Sequence, residues 1–194
     1  MRVGVLASGH GTNLQALLDD PEIEVVAVAS EKPDARALER ARAAGVAAEA
    51  FAGFDGRTGR DRAIAAWLRE HQVELVVLAG YMQLLSDEFL LTFPERVINV
   101  HPALLPAFPG LRAVEQALEY GVKVFGVTVH FVDNGVDTGP VILQRAIELP
   151  EARSADEVLA RLHLIEHELL PLAVRLIAQG RVKVDGRHVV VESR

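Results

Sequence analysis

The chain alternates continuous apolar runs with longer stretches whose apolar residues recur every three or four positions. Residues 2–7, "IEVVAVAS", the weaker "VAAEAF", "VELVVLAG" and "RVINV" are runs of strand length, the pattern of strands covered on both faces. Between them "NLQALLDD", residues 34–44 and residues 60 to about 71 carry helical spacing, and one short helix precedes "VINV". Thr12 and Gln15 have capping-box spacing at the first helix, and Gly45 ends the second. Strands alternating with helices predict a mostly parallel sheet with helices on both faces.

The pattern changes after Gly121. "VKVFGVTVHFV" and "PVILQRAIEL" read as strands, joined by "DNGVDTG" closely enough to pair antiparallel. A helix over residues 154–179 follows, opened by a Ser154–Glu157 capping box and expected to kink or break at Pro171. "RVKVDGRHVVV" closes as a hairpin turning on Asp185 and Gly186. Without repeats, linkers or low-complexity segments, one compact domain is expected, with residues 1–100 as a phosphate-binding βαβ half and 101–194 as a catalytic half.

Composition narrows the function. Half of the 194 residues are hydrophobic, enough for a sizeable core. The formal net charge of −7, with no basic run, argues against nucleic-acid or anionic-membrane partners, so an anionic ligand needs a local device such as backbone amides. There is no cysteine, which excludes disulfides, zinc–thiolate sites and thiol nucleophiles. No segment approaches membrane-spanning length and "MRVGVLASGHG" is too short in its apolar run for a signal peptide, so a cytoplasmic location is expected.

Three stretches carry candidate chemistry. "SGHGTNL" stands at the first strand-to-helix passage, where glycines admit backbone amides to a ligand and the helix start adds roughly half a positive charge, a setting that suits phosphate. It is neither a dinucleotide fingerprint, since Leu14 takes the third glycine position, nor a Walker loop. Asn99 and His101 alternate near the end of a strand, where ligands of open parallel sheets bind; an amide there can donate to an oxygen gaining charge, and an imidazole can move a proton. Asp137, in "DNGVDTGP", can support an imidazole if the fold brings the two together. Among the other histidines, His10, His71 and His188 read as loop or surface residues and His130 as a strand residue. His163 and His167 sit one helical turn apart without a third metal ligand. "YMQLL", leaving a buried strand, reads as packing core or as the wall of a flat ligand.

Taken together, "GTNLQA", "LERARAAG", "VVLAGYM", "NVHPALLPAFPG", "VHFVDNGVDTGPVILQ" and "EHELLP" resemble the folate-dependent formyltransferase family, and within it the branch that formylates a glycinamide ribonucleotide in purine synthesis. The resemblance spans nearly the whole chain and implies a Rossmann-like formyltransferase fold. It implies that 10-formyltetrahydrofolate is the co-substrate, without metal or covalent nucleophile, and that Asn99, His101 and Asp137 form the catalytic trio, with Asp137 orienting His101 and raising its pKa. By the same correspondence Gly11, Thr12 and Asn13 cradle the substrate phosphate, Glu166 holds the glycinamide end, and His163 also contacts the substrate. Arg57, Met82, Gln83, Leu84, Leu85, Asn99 and the turn Asp133, Asn134, Gly135, Val136 and Asp137 are implied to contact the folate. Partners are then small molecules only, with no nucleic acid or membrane, and the state a monomer or homodimer.

The chain departs from the family pattern at Thr12, often serine, at Gln83, often arginine, and near Ala107, where a lysine is common. On that basis an arginine restored at position 83 is expected to tighten folate binding by less than about tenfold. The rival readings are a formyltetrahydrofolate hydrolase or a methionyl-tRNA formyltransferase, each expected to need a further domain, and a non-catalytic phosphate-metabolite binding module, expected to lack one of the trio.

Overall fold

The structure, a computed structural model, describes residues 1–192 and divides into two compact units, Met1–Asn99 and Val100 onward. In the first unit, β1 (Arg2–Leu6), α1 (Thr12–Leu18), β2 (Glu24–Ser30), α2 (Arg36–Ala43), β3 (Ala47–Ala50), α3 (Arg57–Glu70), β4 (Leu75–Leu78) and α4 (Asp87–Thr92) lead into β5 (Val97–His101). The strands are parallel, in the order β3-β2-β1-β4-β5. Their apolar runs are covered as the pattern requires: Val5, Leu6, Val28, Val76 and Val77 are fully buried, as are Leu14 and Leu17 of α1, Leu38 of α2, and Ile64 and Leu68 of α3. At Gly4 a Cβ would lie 2.9 Å from Leu68 and Val73, so β1 and α3 touch only because that position has no side chain.

The second unit holds α5 (Ala113–Tyr120), β6 (Val124–Phe131), β7 (Val141–Glu148), α6 (Ala155–Ala178) and the strands β8 (Val182–Asp185) and β9 (His188–Val191). β6 and β7 pair antiparallel, as expected, and α6 packs its buried face, which includes Leu162, Leu169, Leu170 and Val174, on β6. The result is the expected mostly parallel α/β fold, with antiparallel C-terminal strands and a terminal hairpin.

Several local expectations are corrected. Thr12 does not cap α1: Gly11, in the left-handed region at φ 71°, takes the cap position, so Thr12 is already the first helical residue and no side chain caps the start. Gln15 instead donates to Asp19 and accepts from Arg40. α3 begins at Arg57 rather than residue 60, because Gly56 at φ 86° lets the loop turn into the helix earlier. α6 runs uninterrupted through Pro171. The Ser154 cap is present, its hydroxyl accepting from the Glu157 amide while the Glu157 carboxylate takes the Arg153 amide. The hairpin turns on Gly186 and Arg187, since Asp185 is still paired with His188. α5 was not expected at all; it follows a loop in which Phe108, Gly110 and Arg112 all have positive φ.

Candidate active site

In the first unit, the loop between β1 and α1 is tightly built. The Ala37 amide donates to the Gly9 carbonyl at 3.1 Å, and a Cβ on Gly11 would come within 2.8 Å of the Ala37 backbone. Gly11 therefore answers both a conformational and a steric demand. Thr12 is half-exposed and Asn13 buried. Ser8 anchors the loop from below: its hydroxyl donates to Glu31 at 2.9 Å and accepts the Met82 amide at 2.8 Å, which ties the loop to the segment after β4. In that segment Met82, Gln83 and Leu84 are exposed and Leu85 half-buried, so "YMQLL" is not packing core beyond Tyr81. Two large apolar side chains left in solvent directly after a buried strand suit a ligand wall. Arg57 is exposed at the start of α3.

Asn99, half-exposed in β5, is the last residue of the first unit, and its Leu78 partner lies in β4. His101 ends β5 in the second unit and is only 5% exposed. Its Nδ1 lies 3.3 Å from Asp137 Oδ2, and its Nε2 lies 2.9 Å from the Phe108 carbonyl. A carbonyl oxygen only accepts, so the proton sits on Nε2; a second proton on Nδ1 would face the carboxylate.

The 36-residue separation of His101 and Asp137 is thus closed by the fold, and Asp137 has more partners than His101. The Gly110 amide donates to its Oδ2 at 2.7 Å, and His130 Nε2 lies 3.5 Å from its Oδ1, with His130 Nδ1 at 2.8 Å from the Phe131 carbonyl. Burial pushes the Asp137 carboxyl up, but the His130 and Gly110 hydrogen bonds and the charges of His101 and His130 outweigh it and hold it at about 2. Asp137 is therefore a carboxylate over the whole working pH range. Its φ of 53° places a non-glycine residue in the left-handed region, a cost of about 1–3 kcal/mol that persists at sites whose surroundings over-determine the backbone.

The surrounding turn is equally determined. Asp133 accepts from the Gly135 amide and the Thr138 hydroxyl, while a Cβ on Gly139 would overlap the Phe131 carbonyl. Asn134, Gly135 and Val136 are exposed on that turn. The loop after His101 is clamped by fully buried Thr128, whose hydroxyl donates to Ala103 O and accepts from the Leu105 amide and Gln144.

On α6, Glu166 is buried and His163 half-buried, one turn apart. His163 stacks on His167 with ring centres 6.2 Å apart, and burial, joined by the His163 charge and opposed by that of Glu166, pulls the His167 imidazole down. Among the described residues no group of three or more His, Cys, Asp or Glu could hold a metal ion. Sequence reasoning missed His130, whose signal was a single histidine inside an otherwise apolar strand. It also missed Phe108 and Gly110, which act through backbone atoms that no side-chain pattern reports.

Residues 1–174 match the family described as formyl transferase. The chain is 41% identical over 191 residues to phosphoribosylglycinamide formyltransferase of Escherichia coli (strain K12), covering 95% of this chain and 90% of that protein. It superposes on the crystal structure of glycinamide ribonucleotide transformylase 1 from Symbiobacterium toebii with a TM-score of 0.97 and 48% identity, over 100% of this chain and 94% of that one. A formyltetrahydrofolate deformylase from Pseudomonas syringae shares the fold at a TM-score of 0.91 but only 27% identity, over 99% of this chain and 66% of that one. The match over residues 1–174 and the near-full-length identity together show that the chain belongs to the formyltransferase family.

Proposed function

We infer that the protein transfers the formyl group of 10-formyltetrahydrofolate to the amine of 5'-phosphoribosylglycinamide, giving phosphoribosyl-N-formylglycinamide and tetrahydrofolate in purine synthesis. The observation that carries this reading is the near-full-length identity to enzymes named for that reaction, far above the identity to the deformylase. The amine nitrogen attacks the formyl carbon, the formyl oxygen gains charge, and the bond from that carbon to the folate nitrogen breaks. Asn99 donates to the charged oxygen. His101, carrying a proton on each ring nitrogen, passes its Nε2 proton from the Phe108 carbonyl to the departing nitrogen, and the neutral ring that is left then takes up the proton that the amine sheds. Asp137 holds the ring by its Nδ1 edge and balances its positive charge.

Gly11, Thr12 and Asn13 bind the phosphate, Glu166 and His163 the remainder of the ribonucleotide. Arg57, residues 82–85 and the turn 133–137 bind the folate. The partners are these small molecules alone, the location is cytoplasmic, and the protein works as a monomer or homodimer; no helix among the described residues is long and apolar enough to cross a membrane. The direct test is loss of 10-formyltetrahydrofolate by purified protein. Loss that needs the ribonucleotide supports transfer, and equal loss without it identifies a hydrolase.

The phosphate assignment has its own test. Gly11→Val must place a branched side chain at positive φ, against Ala37, and is expected to raise the KM for the ribonucleotide by about tenfold or more while the folate KM changes little. Gly9→Ala is the control, since its Cβ meets nothing within 4 Å. Equal damage to both KM values in Gly11→Val would reduce the loop to a structural turn.

A further inference from the structure

The most extensively bonded cation of the first unit takes no part in the mechanism above. Arg60, on α3, is only 8% exposed, and Asp61 beside it is fully buried. Neighbours in a helix do not normally face each other, yet Arg60 folds back so that Nε and Nη2 both donate to Asp61 Oδ1, at 2.9 and 2.7 Å. The guanidinium then reaches the segment after β4. Nη1 donates to the Gln83 side-chain oxygen and Nη2 to the Leu84 carbonyl, each at 3.0 Å, and the guanidinium carbon lies 5.9 Å from the centre of the Tyr81 ring. The other Asp61 oxygen takes the Ser86 amide at 2.6 Å. One buried ion pair thus holds the segment at Tyr81, Gln83, Leu84 and Ser86, within its exposed apolar wall and at both of its ends.

We propose that Arg60 is the positioning residue of the folate wall: it fixes the path of residues 82–85 and orients the Gln83 side chain. The inference rests on the assignment of residues 82–85 to the folate. Arginine suits this task because its planar fork serves a carboxylate, a side-chain amide and a backbone carbonyl at once, which a lysine ammonium cannot span. The earlier expectation for position 83 is then reversed. An arginine there would face the guanidinium of Arg60 and replace an acceptor by a like charge, so Gln83→Arg weakens folate binding.

The test compares Arg60→Lys, Gln83→Met, Gln83→Arg and the double variant Arg60→Met, Asp61→Asn. The double variant removes both buried charges together, and Gln83→Met removes one link to the segment while leaving the ion pair whole. For each, both KM values, kcat and the calorimetric Kd of tetrahydrofolate are measured. The folate KM and the tetrahydrofolate Kd are expected to rise by about tenfold in Arg60→Lys and the double variant, and about threefold in the Gln83 variants, with the ribonucleotide KM and kcat at saturating folate within about twofold of wild type. A purely structural role would instead lower thermal stability and raise both KM values by the same factor, and that result overturns the proposal. So does unchanged folate binding in any folded Arg60 or Gln83 variant, or tighter binding in Gln83→Arg. Failure of the proposed reaction is seen separately, as absent ribonucleotide-dependent transfer in the wild type, and the tetrahydrofolate Kd still decides the role of Arg60 in that case.

Discussion

His101→Ala is expected to lower kcat for formyl transfer by about a hundredfold or more, and Asn99→Ala by a similar factor, with both KM values changed far less. The departing folate nitrogen is a poor leaving group until it is protonated, and His101 carries a proton on the nitrogen turned away from Asp137. Without the imidazole the proton must come from water. In the proposed mechanism Asn99 acts at the other side of the same bond change, where an oxygen gains charge only on the way to the tetrahedral intermediate. An interaction made only there lowers kcat when lost, not ground-state binding. A rapid-mix assay at saturating concentrations of both substrates separates the two cases. A loss confined to KM in either variant would remove that residue from the chemistry. His101 is buried, but alanine leaves Asp137 with the Gly110 amide and His130, so a folded protein is expected from circular dichroism.

How much of this was legible in the sequence differs from element to element. β1, β2, β4 and β5 were readable because a strand covered on both faces must be apolar throughout, and few other settings produce such runs. α5 was not, although Ala113, Val114 and Ala117 are its buried residues at helical spacing. It follows a loop dense in proline and glycine and opens from Arg112 in the left-handed region, a start that no capping pattern announces. The failed Thr12 cap has the same root: spacing fits a capping box, but whether the preceding glycine turns left-handed depends on how closely α2 approaches.

Site residues follow a similar division. Asn99 and His101 stand out because polar side chains in a buried strand are costly without a purpose. The pairing of His101 with Asp137 spans 36 residues, and no periodicity reports it; it became expected only through the family motif. Arg60 was the least legible. In "RTGRDRA" it is one of three arginines, and its burial arises from a carboxylate next door that helical geometry alone would point elsewhere.

Asp137→Asn is expected to act in two separable ways. Asparagine tolerates the left-handed backbone at this position and still accepts from the Gly110 amide, so the turn from residue 133 keeps its shape. What disappears is the negative charge 3.3 Å from His101 Nδ1. In the proposed mechanism kcat therefore falls, because the cationic ring has lost its partner. As proposed, the two residues act as a unit, so His101→Ala combined with Asp137→Asn is expected to be little worse than His101→Ala alone. Fully additive losses would separate Asp137 from His101. The second effect is on acid stability. A carboxyl held at about 2 when folded, against 3.8 as its ordinary value, gives the wild type a stabilisation that is fully present above about pH 4 and lost as pH falls toward 2. The charges of His101 and His130 contribute to that difference, since both favour the carboxylate. Asp137→Asn has no proton to take up there, so its denaturant midpoint should fall less steeply than that of the wild type between pH 4 and 2. Parallel curves for the two proteins would mean that the Asp137 carboxyl titrates alike folded and unfolded, and that neither histidine holds it as a charge partner.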